Sequence, residues 1–110
     1  MAYDEDLADR IRQVVQDVDG VTEKRMFGGL AFLVGGHMAV SASGKGGLLL
    51  RCDPAETDSW VTERGVDRFE MRGKEMDGWL RVDPKAIETD EDLLRWVRVG
   101  MAYADSLPPK

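Results

Sequence analysis

Leu7, Ile11, Val14, Val15 and Val18 recur at intervals of three and four, the spacing that gathers side chains on one face of an α-helix. Asp4 or Asp6 stands where a short carboxylate caps the free N–H groups of a first turn, and Gly20 ends the run. The pattern then changes period. From Lys24 to Cys52 the chain reads as strands. Met26-Phe27 leads into Gly28-Gly29 and Leu30-Ala31-Phe32-Leu33-Val34, so the glycine pair reads as a bulge or a close backbone approach inside one strand. Gly35-Gly36 is a two-residue hairpin signal. His37–Ser43 alternates, with Met38, Val40 and Ala42 on one face and His37, Ala39, Ser41 and Ser43 on the other. Gly44–Gly47 turns the chain, and Leu48, Leu50 and Cys52 oppose Leu49 and Arg51.

Pro54 opens a second helix over residues 55–64, anchored by Trp60 and Val61 and stopped by Gly65. Phe69 and Met71 alternate with Arg68, Glu70 and Arg72. Trp79–Val82 reads as the partner strand, and Asp83-Pro84 breaks it. Thr89 or Asp90 caps a last helix whose stripe is Leu93, Leu94, Val97, Met101 and Ala104. The predicted order is α-β-β-β-α-β-β-α. Hairpin-linked strands are antiparallel, and helices with one apolar stripe must cover one sheet face. The expected fold is therefore α+β in two layers, a five-stranded antiparallel sheet with helices on one face. One domain spans 1–110, with 107–110 as a disordered tail.

Length and charge narrow the function classes. At 110 residues the chain makes one domain that can bury a core unaided. A single cysteine, Cys52, allows no internal disulfide and fits a reducing compartment. No apolar run approaches the ~20 residues of a membrane span, and the acidic start has no signal-peptide pattern, so a cytoplasmic location is expected. The net charge of -6 weighs against direct nucleic-acid binding, which needs clustered Lys and Arg. The charge is also segregated: residues 1–20 hold six acids and two bases, residues 21–52 one acid and four bases. Acidity follows the helices, and basic residues follow the strands.

Candidate chemistry is sparse. Gly28-Gly29 lacks the spacing of a phosphate loop and is followed by no helix. His37 and Cys52 lack paired ligand spacing, and strand alternation points them to opposite faces, so neither a metal nor a cofactor is expected. The serines have one histidine between them and no nucleophile-elbow motif, so no enzyme is expected. One constellation remains. If Met38, Val40, Leu48, Leu50, Phe69, Met71, Leu80 and Val82 face the helices, then Ser41, Arg51, Arg68, Arg72, Trp79 and Arg81 share the other face. Arg and Trp are the commonest interface hot spots. Arg51, Arg72, Trp79 and Arg81 are thus candidate contacts for a protein partner, either an acidic surface or a second copy forming a homodimer. The competing readings are an ordinary solvated sheet face and a small-molecule site on the same face.

Arg25-Met26-Phe27-Gly28-Gly29, together with Gly35-Gly36-His37-Met38, Leu48-Leu49-Leu50-Arg51 and the closing helix after Thr89, resembles the TfoX/Sxy N-terminal domain over roughly residues 5–105. The resemblance implies a fold similar to the secretion-chaperone-like α+β group. It also implies a regulatory, non-enzymatic role, since full-length members of this bacterial family are competence regulators, thought to act beside the cyclic-AMP receptor protein. Those members carry a second, helical C-terminal domain, and this chain is expected to stand alone without it. The family brings no catalytic residues to carry over.

Overall fold

The computed structural model describes residues 3–26 and 28–108. Helix α1 (Glu5–Val15) begins where Asp4 accepts the backbone N–H groups of Asp6 and Leu7, so Asp4 rather than Asp6 is the cap. Six strands follow: β1 (Val21–Met26), β2 (Gly29–Val34), β3 (His37–Ala42), β4 (Leu48–Arg51), β5 (Val66–Met71) and β6 (Lys74–Val82). Between β4 and β5 lie a 3-10 turn (Pro54–Glu56) and the short helix α2 (Thr57–Trp60), in place of the longer helix expected over 55–64. A second 3-10 turn (Pro84–Ile87) leads to α3 (Asp90–Ser106), capped by Thr89 through the N–H of Asp92. All strand pairs are antiparallel, in the order β1-β2-β3-β4-β6-β5.

The fold is α+β, and the sheet has six strands where five were expected. The glycine pair divides what was read as one strand. Met26 pairs with Gly29, so the chain reverses between them, and Gly28 takes the positive φ (76°) that the reversal needs. Gly29 is the close approach: a Cβ there would stand 2.3 Å from the Ala42 carbonyl oxygen. Strand β1 lacks an apolar alternation because it lies at the sheet edge, with Thr22 to Arg25 exposed. It is pinned instead by Arg12 of α1, whose guanidinium makes two 2.8 Å bonds to the Glu23 carboxylate.

The three helices pack on one sheet face. Leu7, Ile11 and Val15 of α1 and Leu93, Trp96 and Val97 of α3 join Phe32, Val40, Leu48, Leu50, Leu80 and Val82 in the main core, with Trp60 and Val61 at its margin. The stripe of α3 differs from expectation. Trp96 is buried, whereas Leu94 is only half-buried and faces a groove. Trp96 makes an edge-on contact with Trp60 at 5.4 Å, which explains how α2, one turn long, holds its place.

Two irregularities reset which side chains face the helices. In β3, Phe32 pairs with Val40 but Leu33 pairs with Met38, leaving Ala39 as an extra residue. A bulge of this kind reverses side-chain parity beyond it. Met38, expected against the helices, therefore joins the opposite face, and Ala39 turns toward α3. Gly100 of α3 accommodates that backbone. A Cβ at Gly100 would lie 2.4 Å from the Ala39 carbonyl oxygen. In β5 the inward parity is set by Val66, so Phe69, also expected inward, packs on the open face. Arg68, expected on the open face, pairs opposite inward-facing Leu80 and is held there by Asp58 of α2 and Asp77. The Met71 side chain lies outside the described set.

Of the four residues expected as a disordered tail, Leu107 and Pro108 are described, and 109–110 lie outside the described residues. The Pro108 carbonyl accepts a 2.6 Å bond from His37 Nε2, which ties the end of α3 to the start of β3.

Candidate functional site: the sheet face opposite the helices

Among the described residues, no helix covers the second face of the sheet, yet that face is not a polar, solvated surface. Ala31, Met38 and Leu49 are buried there, roofed by the half-buried side chains of Met26, Leu33, Phe69 and Trp79. Across its middle the strand register aligns Lys24, Ala31, Ser41, Leu49, Arg81 and Asp67 in one row. A small apolar cluster is thus flanked by charges of both signs.

Of the four candidate contacts, three share this face. Arg51 and Trp79 are direct register partners between β4 and β6, and Arg81 lies two positions on, opposite Leu49. Arg81 is steadied by a 3.2 Å bond from its guanidinium to the Lys45 carbonyl. Arg72 stands apart, exposed at the tip of the β5–β6 hairpin. Its φ of 56° is the one positive value at a described non-glycine residue. Arg72 and Arg81 nevertheless approach a common hollow of about 520 Å3, whose walls include Leu49, Phe69, Asp67 and Glu75.

The family-motif residues serve the hairpin that borders this face. Arg25 is exposed on β1, Met26 packs on the open-face cluster, Gly28 turns the chain and Gly29 fits against Ala42. Phe27 lies outside the described residues.

A second concavity lies on the other side of the molecule. The groove between α2 and α3 has a volume of about 730 Å3, with Trp60, Leu94, Val99 and Tyr103 among its walls. One of its arginines is already engaged. Arg95 stacks on Trp96 (4.6 Å) and is bonded by both oxygens of Glu63, whose hydrogen bonds raise the Arg95 pKa further. Cys52 borders the groove, but burial pushes its thiol pKa up, away from the thiolate that nucleophilic or redox chemistry requires. Among the described residues no cluster of three or more His, Cys, Asp or Glu side chains could hold a metal ion.

The model of the TfoX N-terminal domain family matches residues 13–104. The chain belongs to that family. No curated protein and no solved structure matches it. For this TfoX N-terminal domain the match covers every strand, α2 and nearly all of α3. It therefore includes both the motif hairpin and the open face. No helix of the described residues is long and apolar enough to cross a membrane.

Sequence reasoning missed two contributors to the site. The bulge at Ala39 hid Met38, and no residue type in His37–Ala42 announces a bulge. Tyr103 was also missed. Its ring lies 5.5 Å from the Arg51 guanidinium, which lies 5.2 Å from the Trp79 ring on its other contact. A signal for Tyr103 did exist. The spacing Trp96, Gly100, Tyr103 continues one helix face, and reading Trp96 inward would have drawn Tyr103 toward the sheet.

Proposed function

We propose that this TfoX-family domain is a non-enzymatic interaction module that docks a protein partner on the open face of its sheet, in a regulatory role in the cytoplasm. One observation carries the reading. An apolar cluster with Leu33, Phe69 and Trp79 at its surface stands on a face that no described helix covers, bordered by Arg51 and Arg81. Half-buried aromatic and aliphatic side chains edged by guanidinium groups have the composition of an interface centre with its rim. The family membership supports the regulatory part, because the resemblance of the chain is to the N-terminal half of competence regulators. The buried, unpaired Cys52 is consistent with a reducing compartment.

The test compares wild-type protein with a Trp79→Ala, Arg81→Ala double variant in affinity capture from the native cell. A genuine partner is retained by the wild type and lost by the variant, while the variant melts close to the wild type. Equal capture by both proteins would remove the open face from consideration.

A second reading, a small anionic ligand in the hollow beside Phe69, is favoured by the two guanidinium groups of Arg72 and Arg81 at its walls. Arg81→Ala would then abolish binding and Trp79→Ala would leave it intact.

A further inference from the structure

Arg51 differs both from the exposed Arg25, Arg64, Arg72 and Arg98 and from the arginines that a polar partner holds. Arg10, Arg12, Arg68 and Arg95 each bind a carboxylate, and Arg81 binds a carbonyl. Arg51 is half-buried. Among the described residues it has no carboxylate or carbonyl partner, only the Trp79 and Tyr103 rings at 5.2 and 5.5 Å. The position follows from the fold. Pairing between β3 and β4 ends at Val40 and Leu50, just before the bulge at Ala39, so Arg51 has no neighbour from β3. Trp79 reaches it across β6 and Tyr103 reaches it from α3.

Two aromatic contacts restrict a guanidinium that would otherwise sample many rotamers, while its edge N–H groups keep their hydrogen-bonding capacity. Restriction before binding lowers the entropic cost of an ordered contact. A planar fork of donors matches a carboxylate in geometry as well as charge.

We propose that Arg51, clamped by Trp79 and Tyr103, is the recognition point for an Asp or Glu carboxylate on a protein partner. The neighbouring apolar side chain of that partner packs on Leu33, Phe69 and Trp79. The inference rests on the interaction-module reading and names the partner's chemistry. A nucleic acid is the poorer occupant, because a polyanion meets the repulsion of a chain with net charge -6, whereas one carboxylate in a short segment meets mainly the local guanidinium. A second copy is also the poorer occupant. The densest runs of exposed acid, Asp4 to Asp6 and Asp90 to Asp92, stand at the starts of α1 and α3 in the helix layer. Such a contact joins unlike surfaces and grows head to tail rather than closing as a two-fold dimer.

The experiment selects random dodecapeptides displayed on phage against the full-length domain. The enriched peptides are then synthesised and their affinities measured by fluorescence anisotropy. The expected peptides carry Asp or Glu beside Leu, Phe or Trp. Replacing that acid by Asn or Gln weakens binding at least about tenfold, and Arg51→Lys, which keeps the charge but loses the stacked fork, does the same. Arg51→Lys leaves affinity for the neutral peptide unchanged. Tyr103→Leu removes one jaw and gives an intermediate loss, which keeps the test open should Arg51→Lys perturb folding. Acidic peptides that bind Arg51→Lys and Tyr103→Leu as tightly as wild type overturn the inference. So does concentration-dependent self-association in sedimentation that Arg51→Lys abolishes, since it identifies a second copy as the occupant. Selection that enriches peptides carrying no Asp or Glu, whose binding is lost in Trp79→Ala but not in Arg51→Lys, overturns the carboxylate assignment and leaves the interaction module standing. No enrichment of any peptide overturns both.

Discussion

The two faces of the sheet carry apolar clusters of different completeness. The helix-covered face holds Phe32, Leu48, Leu50 and Leu80 with no measurable exposure, closed by side chains from all three helices. The open-face cluster buries three apolar residues, Ala31, Met38 and Leu49, and leaves Leu33, Phe69 and Trp79 half-exposed above them. The first cluster is saturated, since it has no surface left to give. The second has apolar surface still in contact with water, and covering such surface is favourable at roughly 25 cal/mol per Å2. A core of the first kind specifies the fold. The second kind adds stability and retains a capacity to bind.

Truncation should separate the two most sharply. Phe32→Ala opens a cavity beneath the helices and is expected to cost about 3–5 kcal/mol, a large share of the ~5–15 kcal/mol of a domain this size. Trp79→Ala removes a ring that is already half in water and should cost stability less than about 2 kcal/mol while abolishing partner capture. Chemical denaturation of both variants checks the order. Equal losses would show that the open face is as much a structural core as the covered one. Leu94, expected in the core, now belongs with the mild cases, because it borders the α2–α3 groove.

The covered face is also intolerant of addition. Gly100→Ala gains about 1 kcal/mol of helix propensity. It also drives a methyl group to 2.4 Å from the Ala39 carbonyl oxygen and 2.7 Å from Val40 Cγ1. Backbone on both sides cannot yield cheaply, so overpacking of about 1–3 kcal/mol should win and the variant should melt lower. A higher melting temperature would mean that α3 slides freely over the bulge at Ala39.

The opposite sign is expected at the hairpin that extends beyond the open face. Arg72 sits at φ 56° and is exposed. Asn accepts that conformation more readily than Arg, and relieving the strain should raise stability by about 0.5–1 kcal/mol. Strain retained at an exposed arginine suits a residue kept for contact, so Arg72→Asn should bind the partner more weakly as its melting temperature rises. Loss of stability in this variant would show that the arginine itself holds the hairpin.

Much of this architecture can be read in the residue pattern, and the failures have distinct causes. Asp4, Gly35-Gly36 and the Leu48-Leu49-Leu50 alternation act locally, through capping, turn geometry and side-chain parity, so they could be read one residue at a time. Strand β1 could not. Its side chains from Thr22 to Arg25 face water, and it is a strand because β2 offers it a ladder of hydrogen bonds. Met38 and Phe69 were misplaced because parity was carried along each strand from an assumed inward residue, and one bulge or one wrong anchor reverses everything beyond it. Trp96 was overlooked in favour of Leu94 because Leu94 stands three residues before Val97 and Trp96 three residues after Leu93, so either can extend the stripe, and packing against Trp60 decides between them. At the site, alternation grouped Arg51, Trp79 and Arg81 correctly on one face. The clamp on Arg51 needed Tyr103, which is 52 positions away along the chain and comes near only through the helix layer.

The smallest effect expected concerns the edge strand that gives Met26 to the open face. Arg12 of α1 holds the Glu23 carboxylate of β1 through two hydrogen bonds, and these lower the Glu23 pKa below its ordinary 4.5. Lowering means that the folded state favours the ionised form. The resulting stability is present above the unfolded value and is lost as pH falls through the folded one. Both side chains are substantially exposed, 42% for Arg12 and 38% for Glu23, so solvent and salt screen the pair and its contribution is small. Urea titrations of wild type and Glu23→Gln should therefore differ slightly at pH 7 in favour of wild type. The difference should shrink with added salt and close as the pH falls below 4.5 and through the lowered Glu23 pKa. A difference that persists unchanged to the acid end of the titration would mean that Glu23 holds β1 by packing. In that case, the edge of the open face would be fixed by the same kind of contact as the covered core.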